Sequence, residues 1–299
     1  MKLEDIKTIG VVGAGVMGTG IAQVALMAGY KVKLFDKNSE QSKLAEEKTI
    51  FLLNKFLEKG IYQSISEIED ILGKIEVVCS LRAFEDVDFV IEAIIENKEV
   101  KQKLFGELDS ICRPEVIFAS NTSSISIEEL AKVTKRKDRV IGMHFMNPPV
   151  LVKSLEIPIS PETSLVTLEL VMNLAEKFER TPIIKVKKYV PGYIFNRLVM
   201  SPVAEAIRLL ENGVGDYGDI NKSMLLCVAG GKPMNTLDFA ELVGLDTVLN
   251  ILKEIYNNGE SPGFEPTQLL INMVSKGYLG RKTKRGFKEW LTDWEGKNE

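Results

Sequence analysis

The sequence predicts a doubly wound α/β fold, with a mostly parallel sheet, followed by a helical C-terminal domain. Short runs rich in β-branched residues alternate with helical patterns through the first part of the chain, which is typical of βαβ units. The strand signals end at about Pro191-Gly192, and helical patterns follow one another from there. We therefore expect two domains, 1–187 and 188–299, in this chain of 299 residues.

The predicted strands and helices alternate in the order that a parallel sheet requires. Strands are expected at 7–12, 31–35, 87–91, 116–119 and 140–143. Helices are expected from the first glycine turn to Ala28, at 39–59, 64–73, 98–110 and 126–133, and in the second domain at 193–212, 216–228, 238–257 and 266–276. Sheets of this kind bind ligands beyond the carboxyl ends of their strands, so we expect the functional site there.

The composition excludes several classes of protein. Hydrophobic residues make up 45% and charged residues 27% of the chain, which excludes a disordered, collagen-like or coiled-coil protein. The net charge of −4 argues against nucleic acid as the main partner. Three widely spaced cysteines form neither a disulfide framework nor a zinc site, so we expect a cytoplasmic protein without a metal ion. The uncharged segment 9–30 holds six glycines, which predict strand, turn and helix rather than a membrane span.

A glycine-rich loop follows the first predicted strand and opens a helix. Gly13, Gly15 and Gly18 have the spacing G-x-G-x-x-G, with Val16 and Met17 between the last two. The first glycine allows a tight turn, the second lets backbone N–H groups approach a pyrophosphate, and the third lets the helix pack closely on the strand. The helix N-terminus adds partial positive charge. The loop predicts a Rossmann-type dinucleotide site, and a glycine turn without a ligand is the alternative.

The second predicted strand ends in an acidic residue that favours one dinucleotide. Asp36 lies 18 residues after Gly18. A carboxylate at this place accepts hydrogen bonds from the adenosine ribose hydroxyls and repels a 2′-phosphate. The sequence therefore predicts NAD rather than NADP, and FAD is a weaker alternative.

The only histidine of the chain, His144, follows a predicted parallel strand. Histidine titrates near neutral pH, which suits proton transfer coupled to hydride transfer. Glu156 lies twelve residues further on, and a carboxylate bonded to the imidazole would fix its tautomer and stabilise the imidazolium. A buried structural histidine and a solvated glutamate are the alternatives at this point.

These motifs together resemble the L-3-hydroxyacyl-CoA dehydrogenase family, with the bacterial 3-hydroxybutyryl-CoA dehydrogenases nearest. The matching segments span nearly the whole chain and are the loop at 13–18, EAIIEN at 92–97, NTSS at 121–124, HFMNP at 144–148, PGYIFNR at 191–197, VGLD at 243–246 and GRKT at 280–283. The resemblance implies a Rossmann-type NAD-binding domain and an all-α domain that forms the substrate cleft and a homodimer. It also implies NAD-dependent, reversible oxidation of an (S)-3-hydroxyacyl-CoA.

The family pattern implies roles for individual residues. In that pattern His144 is the general base, Glu156 orients it, and Ser123 and Asn196 complete the catalytic set. Ser123 also contacts the substrate, and Lys59 contacts its CoA group. The expected cofactor contacts are Gly13, Gly15, Val16, Met17, Gly18, Asp36, Glu96, Lys101, Ser123, Asn147 and Lys282. The alternatives are a helix cap for Ser123 and a solvated surface position for the lysines at 59 and 282.

The chain departs from the family pattern at three places. Met146 stands where a second phenylalanine is usual, which is an apolar exchange. Asn235 and Thr236 interrupt a run that usually continues Met-Gly-Pro, and Lys288 stands where tyrosine is usual. We expect a short acyl chain, as in 3-hydroxybutyryl-CoA. The alternatives are an unusual acyl group (longer, cyclic or dicarboxylic), a CoA-independent β-hydroxyacid dehydrogenase, and an NAD-binding protein without activity.

Overall fold

The chain forms two compact units, Met1–Tyr189 and Val190–Glu299. The structure is a computed structural model that describes residues 1–60, 65–227, 232–259 and 261–295. The division lies two residues beyond the domain boundary expected after residue 187.

The first unit is built on a six-stranded sheet in which every neighbouring pair is parallel. Its strands are β1 (Thr8–Val12), β2 (Lys31–Phe35), β3 (Ile75–Val78), β4 (Phe89–Glu92), β5 (Ile117–Ser120) and β6 (Val140–Gly142). The spatial order is β3-β2-β1-β4-β5-β6, so the winding direction reverses between β1 and β4, where α/β sheets bind their ligands. The predicted doubly wound fold is confirmed. The edge strand β3 was not predicted, because it has only four residues and follows a helical pattern directly.

Helices cover both faces of this sheet. They are α1 (Val16–Met27), α2 (Ser39–Glu58), α3 (Ile65–Leu72), α4 (Lys98–Ile111), α5 (Ile127–Ala131) and α6 (Leu165–Lys177), with short 3-10 turns at Leu3–Asp5, Leu81–Phe84 and Lys137–Arg139. Ile9 and Val11 of β1 belong to one apolar core, and Val12 of the same strand belongs to another. Both faces are buried, as the apolar runs of a parallel sheet require.

A second, three-stranded sheet in the first unit was not predicted. It consists of β7 (His144–Phe145), β8 (Leu155–Pro158) and β9 (Ile183–Val186). β7 runs antiparallel to β8, and β8 runs parallel to β9. The predicted strand at 140–143 ends at Gly142, so His144 begins a strand of this second sheet. A two-residue strand has too few positions to show a strand pattern in the sequence.

Among its described residues, the second unit is helical apart from one pair of two-residue strands. It contains α7 (Phe195–Glu211), α8 (Tyr217–Ser223), the antiparallel pair β10 (Leu225–Leu226) and β11 (Met234–Asn235), α9 (Thr236–Val243), α10 (Leu245–Gly259), a 3-10 turn at Pro262–Phe264, α11 (Gln268–Ser275) and α12 (Phe287–Glu295). The helix predicted at 238–257 is two helices, because Gly244 between them has a φ of +98°, which a helix cannot contain. Leu237, Leu252 and Leu270 from three of these helices meet in one apolar core.

None of the described helices has the length and apolar character needed to cross a membrane.

Candidate active site

The three glycines of the loop differ in their surroundings. Gly13 has a φ of +103°, and a Cβ there would lie 2.4 Å from the Ala93 carbonyl oxygen. A Cβ on Gly18 would lie 1.8 Å from the Gly13 carbonyl oxygen, so α1 touches the end of β1 there. A Cβ on Gly15 would meet no atom within 4 Å. Two of the glycines are thus required by the protein itself, whereas the third keeps open the space in front of α1.

The N-terminus of α1 faces this open space. Gly15 is the N-cap residue, and its lack of a side chain leaves the first N–H groups of the helix uncapped by it. Val16 is 66% exposed, and Met17 is half-buried. Uncapped N–H groups and the helix dipole attract phosphate groups, so the loop fits the pyrophosphate of a dinucleotide.

The carboxylate of Asp36 is held at the end of β2 by two backbone donors. Its Oδ2 accepts a hydrogen bond of 2.8 Å from the Ala14 N–H, and its Oδ1 accepts one of 2.9 Å from the Asn38 N–H. Each carboxylate oxygen can accept more than one hydrogen bond. Asp36 is therefore fixed beside the glycine loop and can still accept from ribose hydroxyls.

The Glu96 carboxylate organises the segment that carries Ser123. Its Oε1 accepts hydrogen bonds from the N–H groups of Ser123 at 2.9 Å and Ser124 at 3.1 Å, from the Ser124 hydroxyl at 2.9 Å and from the Thr122 hydroxyl. Within the part of the chain that the structure describes, the Ser123 hydroxyl makes no hydrogen bond. The helix α5 begins later and has Ser126 as its N-cap, so the alternative that Ser123 caps a helix is wrong.

A buried ammonium group joins Glu96 to a second carboxylate. The Lys101 side chain is 1% exposed, and its Nζ lies 2.5 Å from Oε1 of Glu92 and 3.1 Å from Oε2 of Glu96. Burial alone would raise the pKa of Glu96, but the Lys101 charge and the hydrogen bonds from Thr122 and Ser124 hold the pKa of Glu96 below its ordinary value. Lys101 thus keeps Glu96 ionised, and its direct contact with the cofactor stays a prediction.

Glu92 is a residue of this site for which the sequence predicted no role. It is fully buried, and besides Lys101 it accepts hydrogen bonds from the Ser120 hydroxyl at 2.6 Å and the Ile94 N–H at 2.7 Å. A glutamate at the end of an otherwise apolar strand, nine residues before a lysine, was the available signal. It was missed because only the fold shows that both charges are buried.

His144 and Glu156 lie directly opposite each other on β7 and β8. The Nδ1 of His144 lies 2.8 Å from Oε2 of Glu156, and the side chains are 8% and 0% exposed. The alternative of a solvated glutamate is therefore wrong. The strand that carries His144 is also fixed to the end of β5, because the Asn121 side-chain oxygen accepts a 2.8 Å hydrogen bond from the Phe145 N–H.

Two other predicted contacts of the first unit lie on the surface. Asn147 is exposed and follows β7 by two residues. Lys59 is exposed at the C-terminal end of α2. Both positions are accessible to a ligand, and both contacts stay predictions.

The remaining predicted site residues belong to the second unit. Asn196 is 9% exposed in the first turn of α7. The Lys282 Nζ lies 2.7 Å from Oδ1 of Asp246 and 3.0 Å from the Thr247 hydroxyl, so this lysine is an ion-pair partner within its unit. The roles of Asn196 in catalysis and of Lys282 in cofactor binding stay predictions.

The residues that break the family pattern in the second unit make contacts within that unit. The Thr236 hydroxyl donates a 3.0 Å hydrogen bond to the Met224 carbonyl oxygen, and the Asn235 amide donates one of 3.2 Å to Asp238. The Lys288 ammonium lies 5.5 Å from the centre of the Tyr217 ring. These polar groups therefore have partners in the protein.

Comparison with known proteins decides the family. The family model described as the NAD binding domain of 3-hydroxyacyl-CoA dehydrogenase matches residues 8–189, and the model of the C-terminal domain matches residues 192–290. This chain belongs to the 3-hydroxyacyl-CoA dehydrogenase family. The resemblance that the motifs indicated is thus confirmed over nearly the whole chain.

Similar proteins of known name match at least 93% of this chain. The chain is 39% identical over 286 residues to a probable 3-hydroxybutyryl-CoA dehydrogenase of Bacillus subtilis, which covers 96% of this chain and 98% of that protein. It is 40% identical over 281 residues to a probable 3-hydroxybutyryl-CoA dehydrogenase of Deinococcus radiodurans, and the match covers 93% of this chain and 98% of that protein. The solved structure of (S)-3-hydroxybutyryl-CoA dehydrogenase PaaH1 from Ralstonia eutropha has a TM-score of 0.85 at 35% identity, covering 94% and 98%.

The chain is an NAD-dependent 3-hydroxyacyl-CoA dehydrogenase. The predicted activity and cofactor are confirmed. The open face of Gly15, the N-terminus of α1 and the fixed Asp36 carboxylate fit NAD. Family membership favours this activity over a CoA-independent hydroxyacid dehydrogenase and over a binding protein without activity.

Proposed function

We propose that His144, oriented by Glu156, is the general base that removes the proton of the 3-hydroxyl group. The observation that carries the proposal is the 2.8 Å contact between Nδ1 of His144 and the buried Glu156 carboxylate. Bonding at Nδ1 makes Nε2 the nitrogen that exchanges the proton with the substrate. In the direction of reduction the imidazolium returns the proton to the carbonyl oxygen.

Glu156 has two tasks in this mechanism. Its carboxylate fixes the imidazole ring and tautomer, and its negative charge stabilises the imidazolium that forms when His144 takes the proton. Since Glu156 is fully buried, water does not weaken this interaction. NAD, when bound, would supply the group that accepts the hydride leaving the carbon that carries the hydroxyl group.

Ser123 and Asn196 are proposed as donors to the reacting oxygen. The Ser123 hydroxyl is available for this task because Glu96 binds the backbone N–H of the same residue and not its side chain. A donor fixed in advance stabilises negative charge that develops on the oxygen during the reaction. Asn196 would add a second donor by the same principle.

The proposed substrate is a short-chain (S)-3-hydroxyacyl-CoA such as 3-hydroxybutyryl-CoA. Several similar proteins carry the name 3-hydroxybutyryl-CoA dehydrogenase. Thr236 and Asn235 form hydrogen bonds within the second unit. These bonds account for the two polar residues without an unusual acyl group as their partner. Longer, cyclic and dicarboxylic acyl groups remain as alternatives for the experiment.

The experiment is the oxidation of NADH by the purified protein with a panel of 3-oxoacyl-CoA substrates. We expect the highest kcat/KM with acetoacetyl-CoA, and loss of turnover in His144→Gln with NADH binding retained. A higher kcat/KM with a longer, cyclic or dicarboxylic acyl group would replace the short-chain assignment. Full turnover in His144→Gln would remove His144 from the mechanism.

We also propose that the protein forms a homodimer and acts in the cytoplasm. Support for a subunit contact comes from large apolar side chains of the second unit that face solvent in the single chain: Leu198 at 71%, Leu225 at 60% and Met224 at 47% exposure. Sedimentation velocity of the purified protein would give a mass near twice 33.4 kDa for a dimer. A monomer at micromolar concentration would contradict this part of the proposal.

A further inference from the structure

One buried hydroxyl group of the first unit has no hydrogen bond. Ser42 of α2 is 1% exposed, and its Oγ is the only buried side-chain nitrogen or oxygen without a partner among the described residues. Thr49 of the same helix is equally buried, yet its hydroxyl donates a 2.8 Å hydrogen bond to the Ala45 carbonyl oxygen one turn earlier. Buried polar groups are nearly always paired, so the Ser42 hydroxyl calls for an explanation.

Ser42 lines a cavity of about 310 Å³ at the carboxyl ends of β2 and β3. This volume lies at the lower end of the range for small-molecule sites. The walls are mostly apolar, with Phe35, Val77 and Val78 among them, and Asp36 stands at the same cavity. Lys37, Ser39 and Cys79 complete the lining, and they are exposed to water, whereas the Ser42 hydroxyl is buried. Apolar walls beside a buried hydroxyl suit a flat heteroaromatic ring that carries hydrogen-bonding atoms on its edge.

We propose that the Ser42 hydroxyl forms a hydrogen bond with the adenine base of bound NAD inside this cavity. Asp36 is the residue expected to hold the adenosine ribose, and the base is attached to that ribose. A hydroxyl group both donates and accepts, so it can pair with a ring nitrogen or with the amino group of adenine. Binding of the cofactor then gives the unpaired hydroxyl its partner.

The test compares Ser42→Ala with the parent enzyme in binding, not in turnover. We expect the Kd of NADH, measured by fluorescence titration, and the Kd of ADP-ribose, measured by competition, to rise by the same factor of about three to ten. The thermal midpoint of the protein without cofactor should stay equal or rise, because alanine removes an unpaired buried hydroxyl and favours a helix. These two opposite effects distinguish a ligand-binding hydroxyl from a structural one.

Ser39→Ala is the matched control, because Ser39 lines the same cavity but is exposed to water. We expect no change in either Kd in this variant. Reduced nicotinamide mononucleotide, which lacks the adenosine half, should bind Ser42→Ala and the parent enzyme alike.

Two results would overturn the proposal. An unchanged Kd of ADP-ribose in Ser42→Ala would show that water is the partner of the hydroxyl. A crystal structure with ADP-ribose in which Oγ of Ser42 bonds to the ribose, and not to the base, would reject the assignment to adenine.

Discussion

Two regions of the first unit are suited to polar ligands in different ways, one through backbone groups and the other through buried side chains. The loop from Gly13 to Gly18 offers backbone N–H groups and a helix dipole. Two of its positions require glycine, because a Cβ there would lie less than 2.5 Å from the carbonyl oxygen of Ala93 or of Gly13. The region beyond β4, β5 and β7 instead places titratable side chains in the interior, with Lys101 between the carboxylates of Glu92 and Glu96, and His144 against that of Glu156.

The difference concerns what each region requires of the rest of the fold. Backbone groups carry only partial charge, so the glycine loop needs close packing and an open face, but no countercharge. Full charges in the interior cost several kcal/mol each unless they are paired and hydrogen-bonded. The second region can therefore exist only because Glu92, Lys101, Glu96 and the chain at 120–124 form one connected network.

The largest expected effect comes from removing the Glu156 charge while keeping its shape. In Glu156→Gln we expect kcat to fall by about 10²- to 10⁴-fold, because His144 loses its orientation and the partner of its positive charge. The Kd of NADH should stay the same, since the glycine loop does not depend on this carboxylate. Steady-state kinetics and fluorescence titration measure the two quantities.

Glu179→Gln is the control for this variant, because Glu179 pairs with Lys153 on the surface at 80% side-chain exposure. Its kcat should match that of the parent enzyme. A rise in the Kd of NADH in Glu156→Gln by the same factor as the fall in kcat would show that the glycine loop and the His144–Glu156 pair do not act independently.

The next effect concerns the stability of the buried network. Glu92→Gln leaves the Lys101 ammonium with Glu96 as its remaining carboxylate partner. We expect the free energy of unfolding to fall by about 3 kcal/mol, at the low end for breaking a buried pair because this partner remains. Urea unfolding followed by circular dichroism gives the value.

The double variant Glu92→Gln/Lys101→Met tests the cause. Removing the buried ammonium that has lost its Glu92 partner should recover most of the lost stability, because replacing the charged groups of a buried ion pair is often neutral, whereas removing one partner alone is costly. If the double variant is as unstable as Glu92→Gln, the loss comes from the Ser120 and Ile94 hydrogen bonds and not from the buried charge.

Two alanine substitutions in the loop separate folding from binding. Gly18→Ala forces a Cβ against the Gly13 carbonyl oxygen, so we expect a loss of about 1–3 kcal/mol in the free energy of unfolding. Gly15→Ala meets no protein atom within 4 Å, so stability should be unchanged while the Kd of NADH rises. Gly263→Ala, at an exposed glycine outside the α-helices where a Cβ also meets no atom within 4 Å, should change neither quantity. Equal destabilisation by the first two variants would contradict this assignment of roles.

The same difference explains how much the sequence could predict. The loop was predicted residue by residue, because a tight turn, a close approach and a helix start each require glycine at a fixed spacing. Asp36 followed from its place after β2. The strands β1, β2, β4, β5 and β6 were predictable from short apolar runs, whereas β3, β8 and β9 were not, because each has only four residues with a charged residue inside it, Glu76, Glu156 and Lys185 respectively.

The buried network could not be predicted in the same way. Glu92 and Lys101 look like surface charges until the fold shows 0% and 1% exposure. The pairing of His144 with Glu156 was one of two open alternatives from the spacing, and the antiparallel register of β7 and β8 decided it. Burial and strand pairing are properties of the whole unit, so the type of a single residue does not reveal them.

The smallest expected effect is a difference in pH dependence between Glu96 and a carboxylate of the second unit. The pKa of Glu96 is lowered, since the Lys101 charge and the hydrogen bonds outweigh its burial. The pKa of Glu241 is raised, mainly by burial and further by the charges of Glu289 and Asp238, although the Phe287 N–H donates a 2.7 Å hydrogen bond to it.

The two shifts predict stability changes of opposite sign. Glu96 stabilises the fold above the ordinary pKa of a glutamate, about 4.3, and this contribution is lost as the pH falls through its lowered pKa. Glu241 stabilises the fold relative to an uncharged glutamine below about pH 4.3, and this contribution is lost as the pH rises through its raised pKa. The urea midpoint of each variant, Glu96→Gln and Glu241→Gln, is subtracted from that of the parent enzyme at each pH. As the pH rises, this difference should grow for Glu96→Gln and shrink for Glu241→Gln. The exposed Glu162→Gln variant serves as the baseline. Parallel curves for Glu96→Gln and Glu241→Gln would show that Lys101 does not keep Glu96 ionised.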